Sequence, residues 1–341
     1  MRIISVALLS IVFSLCDAQD ISQPKPPTSP GNPEHESIGI TGDERDVTVP
    51  TEFGINLAGG STDVDAAFQW MISKAKGGDV VIIRASGSTG YNDYIFGLGG
   101  VNSVETLMIN SREKAMNESV AKRIREAEML FIAGGDQANY VKFWKGTPVS
   151  EAIQYLISEK KVPIGGTSAG CAVLSDIIFD ALHDTAIAAN VLLNPYDSTV
   201  SLSKSFMRVP FLENTISDQH YSQRERHGRH VTFMARMIKD FGVKQPKGIG
   251  VDEKTAVCVD KDGNARVFGT NKAYFISTFT SPETCTANTP LSWNRKERAL
   301  SVYIFQASPT GTAAFNLKSW PKSAPTEYWY VENGALKKKQ N

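Results

Sequence analysis

A small hydroxyl side chain stands between glycines in the middle of the chain, where a nucleophile could form. Gly166-Thr167-Ser168-Ala169-Gly170 follows the apolar run "KVPI" and matches the pattern G-x-S-x-G. In this pattern the glycines let a strand and a helix approach closely around a strained turn, which lifts the serine hydroxyl above the sheet near the positive end of the helix. The pattern is short, so these residues alone leave Ser168 equally a nucleophile or a loop serine.

A serine hydroxyl becomes a good nucleophile beside a base, which is most often histidine. Four of the five histidines are less favourably placed, in the N-terminal segment, after the elbow or inside a predicted helix: His35, His183, His227 and His230. His220 lies between a strand end, "TISDQHY", and a helix start. There Ser222 and Glu225 predict a capping box that opens a helix running towards Gly242. His220 is therefore the candidate base.

The base needs a carboxylate to orient it, and two acids follow another strand-like run. Asp252 and Glu253 lie in "KGIGVDEKTAVCV", between two such runs. Spacing alone does not choose between them. The resulting order is serine, histidine, acid, whereas the α/β-hydrolases run serine, acid, histidine, so this elbow belongs to another fold.

The segments around these residues alternate between strand-like and helix-like patterns. Apolar runs such as "FGINLAGG", "GDVVIIRASG" and "MLFIAGGDQ" are separated by stretches with helical spacing, such as "VDAAFQWMISKAK". This alternation predicts an α/β fold with a mostly parallel sheet flanked by helices, whose chemistry lies at the carboxyl ends of the strands. After about residue 256 shorter strand-like pieces predict an antiparallel C-terminal extension, and the elbow is expected to open a helix over "AGCAVLSDIIFDAL".

Four motifs resemble, in this order, those of cyanophycinases and their relatives among the S51 serine peptidases: "FIAGGDQ", "GGTSAG", "DQHYSQRERHGR" and "GIGVDE". The resemblance covers roughly residues 52–280. It implies a fold like that of the class I glutamine amidotransferases, with serine in place of their cysteine. It also implies Ser168 as nucleophile, His220 as general base and Glu253 as its partner. The backbone amides of Gly135 and Ala169 would form the oxyanion hole.

The same resemblance implies a peptide substrate and the residues that contact it. The substrate-side positions are Gln137, Asp218, Gln219, Arg224, Arg226 and Arg229. Cyanophycin, a poly-aspartate with arginine on each β-carboxyl group, carries both charges, so guanidinium groups would hold its carboxylates and Asp218 would hold its arginine. The expected function is hydrolysis of β-linked aspartyl peptides through an acyl-enzyme, with release of β-Asp-Arg dipeptides. The alternatives are a dipeptidase for α-aspartyl or isoaspartyl peptides and an inactive binding homologue.

The N-terminus predicts export. Residues 1–18 have one basic residue, a short apolar run and then small residues, which is typical of a secretory signal peptide. Residues 19–45 are Pro-rich and polar and are expected to be a flexible leader. The catalytic domain is expected over residues 46–285, with residues 286–341 packed on it as an extension. In an exported protein, Asn117 in "NES" could carry a glycan, and Cys258 and Cys285 could form a disulfide. The sequence leaves both questions open.

The overall charge gives no reason to expect a nucleic-acid or membrane partner, because 36 basic and 36 acidic residues leave a formal net charge of zero. The cysteine and histidine spacings do not match a zinc site, so neither a metal nor another cofactor is expected. A hydrophobic content of 41% supports a sizeable core, and a homodimer remains open. The sequence therefore predicts a secreted, cofactor-free serine hydrolase of peptides.

Overall fold

A computed structural model describes residues 27–321 and 323–341, and the expected signal peptide lies outside this part of the chain. The strands, numbered in chain order, are β1 (Thr28–Ser29), β2 (Ser37–Gly42), β3 (Gly54–Ala58), β4 (Asp79–Arg84), β5 (Ser103–Met108), β6 (Met129–Ile132), β7 (Pro163–Thr167), β8 (Ile177–Phe179), β9 (Leu202–Lys204), β10 (Thr215–Asp218), β11 (Lys247–Val251), β12 (Thr255–Asp260), β13 (Asn264–Gly269), β14 (Lys272–Ser277), β15 (Leu300–Gln306), β16 (Thr312–Asn316), β17 (Glu327–Glu332) and β18 (Ala335–Gln340). The α-helices are α1 (Asp65–Ala75), α2 (Gly90–Gly97), α3 (Arg112–Ala115), α4 (Glu118–Glu126), α5 (Gln137–Trp144), α6 (Pro148–Tyr155), α7 (Ala169–Ala172), α8 (Ala188–Leu193) and α9 (His227–Phe241).

The larger sheet has a parallel centre and antiparallel edges. Its strands lie in the order β1-β2-β5-β4-β6-β7-β3-β12-β13-β16, and the pairs from β5 across to β3 are parallel. In β4, Val81 and Ile83 pack into one core cluster while Val80 and Ile82 pack into another on the opposite face. Because helices cover both faces, such strands are apolar throughout rather than alternating. The expected α/β fold is confirmed.

A second sheet packs against the same core. Its order is β10-β11-β14-β15-β17-β18, with only β10 and β11 parallel among the described strands. Ile249 of β11 and Phe275 of β14 share a cluster with Ile164 of β7, so one face joins the larger sheet. On the other face, Ile276 packs with Phe233 of α9. The strands after residue 256 are antiparallel, and they extend both sheets.

The N-terminal segment corrects one expectation, because the described part of the leader predicted over residues 19–45, residues 27–45, contains two strands rather than flexible chain. β1 and β2 lie within it, and β2 pairs with β5 at the edge of the larger sheet. Ile40 and Thr41 are buried. His35 Nε2 lies 3.2 Å from Glu105 Oε1. The prolines of this segment lie outside β1 and β2, so they do not interrupt the backbone pairing of these strands. The polar composition of the segment gave no indication of this pairing.

Two helices are shorter than the sequence predicts. α7 ends after one turn, because the apolar residues that follow it form the buried strand β8, which pairs with β9. α9 begins at His227 rather than at Ser222. Glu225 has φ 50°, and this left-handed conformation stops a helix from starting at the predicted capping box.

The cysteines left open by the sequence are unpaired in the described part of the chain. Cys258 packs with Phe268, whereas Cys285 packs in the cluster beside α9, so the two thiols lie in different parts of the core. Asn117 caps α4, and its Nδ2, the atom that would carry a glycan, donates to Glu34 O at 3.0 Å. Glycosylation stays a prediction. No described helix is both long enough and apolar enough to cross a bilayer.

Candidate active site

Ser168 lies in the turn between β7 and α7. Its backbone has φ 53° and ψ −117°, a region that residues with a side chain rarely adopt. Its N–H donates to Ala58 O of β3 at 3.1 Å, which holds the turn at the carboxyl ends of the parallel strands of the larger sheet. A Cβ on Gly170 would lie 2.0 Å from Ile132 O, and one on Gly166 would lie 2.4 Å from the carbonyl carbon of Gly170. Glycine at both positions therefore allows the helix to pack directly on the strands.

His220 follows β10 of the second sheet and reaches the elbow. Its Nε2 lies 2.8 Å from Ser168 Oγ. The His220 N–H donates to Gly59 O at 2.8 Å, so the loop after β3 holds the histidine backbone. A Cβ on Gly60 would lie 2.4 Å from His220 Cε1, which leaves no room for a side chain there. The two glycines therefore bring the base of one sheet against the nucleophile of the other.

The structure brings Glu253, and not Asp252, to the histidine. Glu253 Oε1 lies 2.7 Å from His220 Nδ1. Asp252 is buried, and its two oxygens accept the backbone N–H groups of Ser222 (2.8 Å) and Lys272 (3.2 Å). These bonds tie the histidine loop to the start of β14. The neighbouring acids thus have separate tasks, since one orients the ring and the other braces the backbone around it.

Two residues that the sequence did not single out hold the Glu253 backbone. Gln223 Oε1 accepts the Glu253 N–H at 2.9 Å. Asn271 Nδ2 donates to Glu253 O at 2.8 Å. Gln223 lies within the motif "DQHYSQRERHGR" but was given no role there, and Asn271 lies in no motif, so its only sequence signal is a polar side chain close to a strand end. They position the carboxylate rather than touch the reacting atoms.

The surroundings of His220 favour its neutral form. Burial is the largest influence and lowers the pKa of His220, and the positive charges of Arg224 and Arg226 act in the same direction. The bond to Glu253 opposes them, and the pKa of His220 stays below its usual value. A neutral imidazole whose Nδ1–H donates to a carboxylate can take a proton on Nε2. The hydrogen-bonded series Ser168, His220 and Glu253 can therefore act as nucleophile, base and orienting acid.

Two backbone amides border the nucleophile. Gly135 and Ala169 line the same pocket as Ser168. Ala169 is the first residue of α7, where the N–H has no partner within the helix. Neither amide donates to a backbone or side-chain acceptor in the described part of the chain. Unpaired N–H groups beside a nucleophile can stabilise the negative oxygen of a tetrahedral intermediate.

The pocket in front of the nucleophile has a volume of about 250 Å³ and mostly polar walls. Its lining includes five of the six predicted substrate-side residues, Gln137, Gln219, Arg224, Arg226 and Arg229. The amide of Gln137, at the start of α5, donates to Phe179 O at 3.4 Å. The amide of Gln219 donates to Ser217 Oγ at 3.4 Å. The structure thus brings together residues from two sheets and from the helix after β6.

Asp218 is not available to a substrate, which corrects the expectation that it holds an arginine. Its side chain is buried and receives two bonds from Arg229, Nε to Oδ2 at 2.8 Å and Nη2 to Oδ1 at 2.6 Å. Arg226 Nη1 lies 3.4 Å from Asp218 Oδ1 and donates to Gln219 O at 2.9 Å. A buried carboxylate requires such partners. Asp218 therefore fixes the two arginines in the pocket wall.

Arg224 differs from the other two arginines of the pocket. It is exposed, and its guanidinium has no ion-pair partner within the residues that the structure describes. Arg226 and Arg229 line the same wall, but both form ion pairs with Asp218. The free guanidinium of Arg224 is therefore the best-placed group of the three to bind a carboxylate.

The remaining histidines lie outside this hydrogen-bonded series. His230 is buried, with its ring nitrogens 3.0 Å from Tyr221 Oη and 3.1 Å from Ile216 O. His227 packs its ring against Tyr221 and Trp329. Both fill the space between α9 and the second sheet, as their helical positions indicate.

Comparisons with known proteins agree with the family suggested by the motifs. The model of peptidase family S51 matches residues 92–267, just over half of the chain. The cyanophycinases of Synechococcus elongatus and Thermosynechococcus vestitus are each 28% identical over 207 residues, 59% of this chain and 59% of theirs. The cyanophycinase of Trichormus variabilis is 28% identical over 202 residues, 58% of this chain and 62% of its own. The chain thus spans about three-fifths of the length of these relatives.

A solved structure of a peptidase from an acI-B1 actinobacterium is 19% identical, with a TM-score of 0.47, and the match covers 66% of this chain and 91% of that one. The family match carries the assignment, because it includes the elbow and His220 and Glu253 within one continuous region. The chain belongs to peptidase family S51.

Proposed function

We propose that this protein is a serine peptidase that acts on peptides with β-linked aspartyl residues, such as cyanophycin, and cleaves their main-chain amides to release β-Asp-Arg dipeptides. The observation that carries the proposal is the hydrogen-bonded series Ser168–His220–Glu253 at the edge of a polar pocket. The alternative of an inactive binding homologue is disfavoured by it, because all three side chains are present and within hydrogen-bond distance.

The proposed reaction needs only groups of this chain and one water. Ser168 Oγ attacks the carbonyl carbon of the scissile amide, and its proton passes to His220 Nε2. Glu253 stabilises the imidazolium, while the amides of Gly135 and Ala169 bind the oxyanion. The C–N bond breaks as His220 returns the proton to the leaving amine, which leaves an acyl ester on Ser168. Water, deprotonated by His220, then attacks the ester carbonyl carbon. The C–O bond to Ser168 breaks, and His220 returns the proton to Ser168 Oγ.

The substrate class rests on the charges of the pocket and on the relatives. An exposed Arg224 beside the nucleophile suits a free carboxylate of an aspartyl peptide, and Gln137 and Gln219 add amide groups that bind main-chain polar atoms. The curated relatives are cyanophycinases. An apolar acyl chain would find few apolar partners among these side chains, so a lipase or esterase function is disfavoured.

Export of the protein is part of the proposal. Its support is the N-terminal sequence "MRIISVALLSIVFSLCDAQ", which has the pattern of a cleaved secretory signal. Amino-terminal sequencing of the protein recovered from the medium of an expressing cell tests it. Cleavage near Ala18 is expected, and an intact Met1 in protein confined to the cell would contradict it.

The function is tested with purified cyanophycin and the full chain. We expect the wild type to release β-Asp-Arg and Ser168→Ala to release none. Chromatography of the products measures this release. A panel of α-aspartyl and isoaspartyl dipeptides is run in parallel. If only these dipeptides are cleaved, the proposed serine mechanism stands and cyanophycin is rejected as the substrate. Equal turnover by Ser168→Ala would reject the proposed nucleophile.

A further inference from the structure

The cleft continues beyond the nucleophile into a second pocket of about 260 Å³. One wall is the segment Thr185–Ala189 at the start of α8, and the other is the turn Arg224–Arg226 together with Arg229. Thr185, Arg224 and two further arginines line both pockets, so the two spaces adjoin. A ligand whose reacting bond lies at Ser168 can therefore extend into the second pocket.

The second pocket presents one free charge of each sign. Arg226 and Arg229 are paired with Asp218, as described above. Arg224 and Glu225 are consecutive and exposed, and neither has an ion-pair partner within the described residues. Glu225 is the only carboxylate in the lining of this pocket. Such a pair matches a ligand group that carries a carboxylate and a cation a few bonds apart.

The opposite wall is apolar. Ala186, Ile187, Ala188 and Ala189 supply it, and Ile187 is 57% exposed although it is a large hydrophobic residue. An aliphatic stem that lies on this wall would cover apolar surface that is otherwise in water. The pocket therefore combines a surface for methylene groups with a charge of each sign.

We propose that this second pocket binds the arginyl group of the substrate, with Arg224 on its α-carboxylate, Glu225 on its guanidinium and Ile187 against its methylene groups. The proposal rests on the proposed function and deepens it, because it names the residue that recognises the basic end. Asp218 cannot take this role, since it is buried in its pair with Arg229. Asp136 lines the first pocket only, and its carboxylate caps α5 by accepting the Ala138 N–H at 2.9 Å.

Binding is measured directly, so that the test does not depend on turnover. Titration calorimetry on Ser168→Ala compares three probes: β-Asp-Arg, β-Asp-citrulline, which replaces the guanidinium by a neutral urea, and β-Asp-agmatine, which lacks the carboxylate. We expect β-Asp-Arg to bind three- to fivefold more tightly than β-Asp-citrulline, the range of an exposed ion pair. Adding Glu225→Gln should remove this preference and leave the affinity for β-Asp-citrulline unchanged.

Two further variants separate this role from general electrostatics. Glu159→Gln removes an exposed carboxylate outside both pockets and should leave the preference for arginine intact. Asp136→Asn removes the acid of the first pocket and keeps its capping geometry. Adding Arg224→Gln should weaken β-Asp-Arg more than β-Asp-agmatine.

Three results would overturn the proposal. In the first, the preference for β-Asp-Arg over β-Asp-citrulline remains after Glu225→Gln. In the other two, this preference is absent from Ser168→Ala itself, or it is lost in Asp136→Asn and not in Glu225→Gln. Turnover of cyanophycin by the wild type is scored separately. If cyanophycin is not cleaved but Glu225→Gln still abolishes the preference, the proposed function fails and the pocket assignment stands. If cyanophycin is cleaved and the preference does not depend on Glu225, the function stands and the assignment fails.

Discussion

Replacing Glu253 by glutamine tests the candidate triad most directly, because it removes a charge and keeps the shape of the side chain. Glu253 Oε1 lies 2.7 Å from His220 Nδ1. Opposite unit charges about 4 Å apart attract by roughly 4 kcal/mol at an effective dielectric of about 20. The Glu253 side chain is 25% exposed, and solvent screening reduces this to roughly 3 kcal/mol.

Because the imidazolium forms only as the reaction proceeds, the lost attraction raises the barrier rather than weakening substrate binding. Each 1.4 kcal/mol is a factor of ten in rate, so Glu253→Gln should lower kcat by about a hundredfold or more, with KM nearly unchanged. The assay is the initial rate of β-Asp-Arg release, with thermal unfolding as a check of folding. Burial lowers the pKa of His220 and Glu253 opposes it, so the acidic limb of the pH profile should also move to lower pH.

The neighbouring acid provides the matched control. Asp252→Asn places an amide NH₂ against a backbone N–H of Ser222 or Lys272, which should cost about 1–3 kcal/mol of unfolding free energy. The reasoning would be refuted if folded Glu253→Gln lost less than tenfold in kcat. It would also be refuted if Asp252→Asn lost more activity than Glu253→Gln at a temperature where both are folded.

Three further predictions follow from the same geometry. The acidic limb of kcat/KM should lie below pH 6.5, since the lowered pKa of His220 keeps the base neutral to more acidic pH, and a limb above 6.5 in the pH profile would contradict this. Gly60→Ala should reduce activity at least a hundredfold by displacing the His220 ring, whereas Gly77→Ala, which has a similar positive φ but no atom within 4 Å, should affect only stability. Arg229→Gln should lower the unfolding free energy in urea by about 3–5 kcal/mol because it strands the buried Asp218, and a loss below 1 kcal/mol would contradict the pairing.

The candidate nucleophile and base could be chosen from the sequence because both lie where a strand ends. Ser168 and His220 each follow a predicted strand, and the carboxyl ends of strands are where an α/β fold carries its chemistry. The choice between Asp252 and Glu253 depends on which backbone N–H groups surround them. Those groups belong to Ser222 and Lys272, 30 residues before and 20 residues after Asp252. No local pattern encodes such contacts.

Predictions from residue type were wrong where the structure depends on which groups pair with one another. The segment around Ser37–Gly42 has the composition of a polar leader, yet a strand needs only backbone partners, and β1 and β5 supply them. Asp218 reads as a substrate contact because its charge suits arginine. The arginine that it meets is Arg229, on the helix that begins nine residues later. Sequence reasoning identified the charged residues but could not assign which of them satisfy one another.

The elbow and its base belong to different sheets, and this affects the order in which a newly made chain becomes competent. The strands of the larger sheet's parallel centre all precede Ser168 in the chain, so they leave the ribosome with it and before the second sheet. His220 then needs β10 and β11, and β11 is held by β14 and the strands that follow it. A nascent or truncated chain that stops near residue 200 carries a nucleophile with no base. Until the second sheet has formed, the candidate triad is therefore incomplete, and fragments cut within that sheet are expected to be inert rather than partly active.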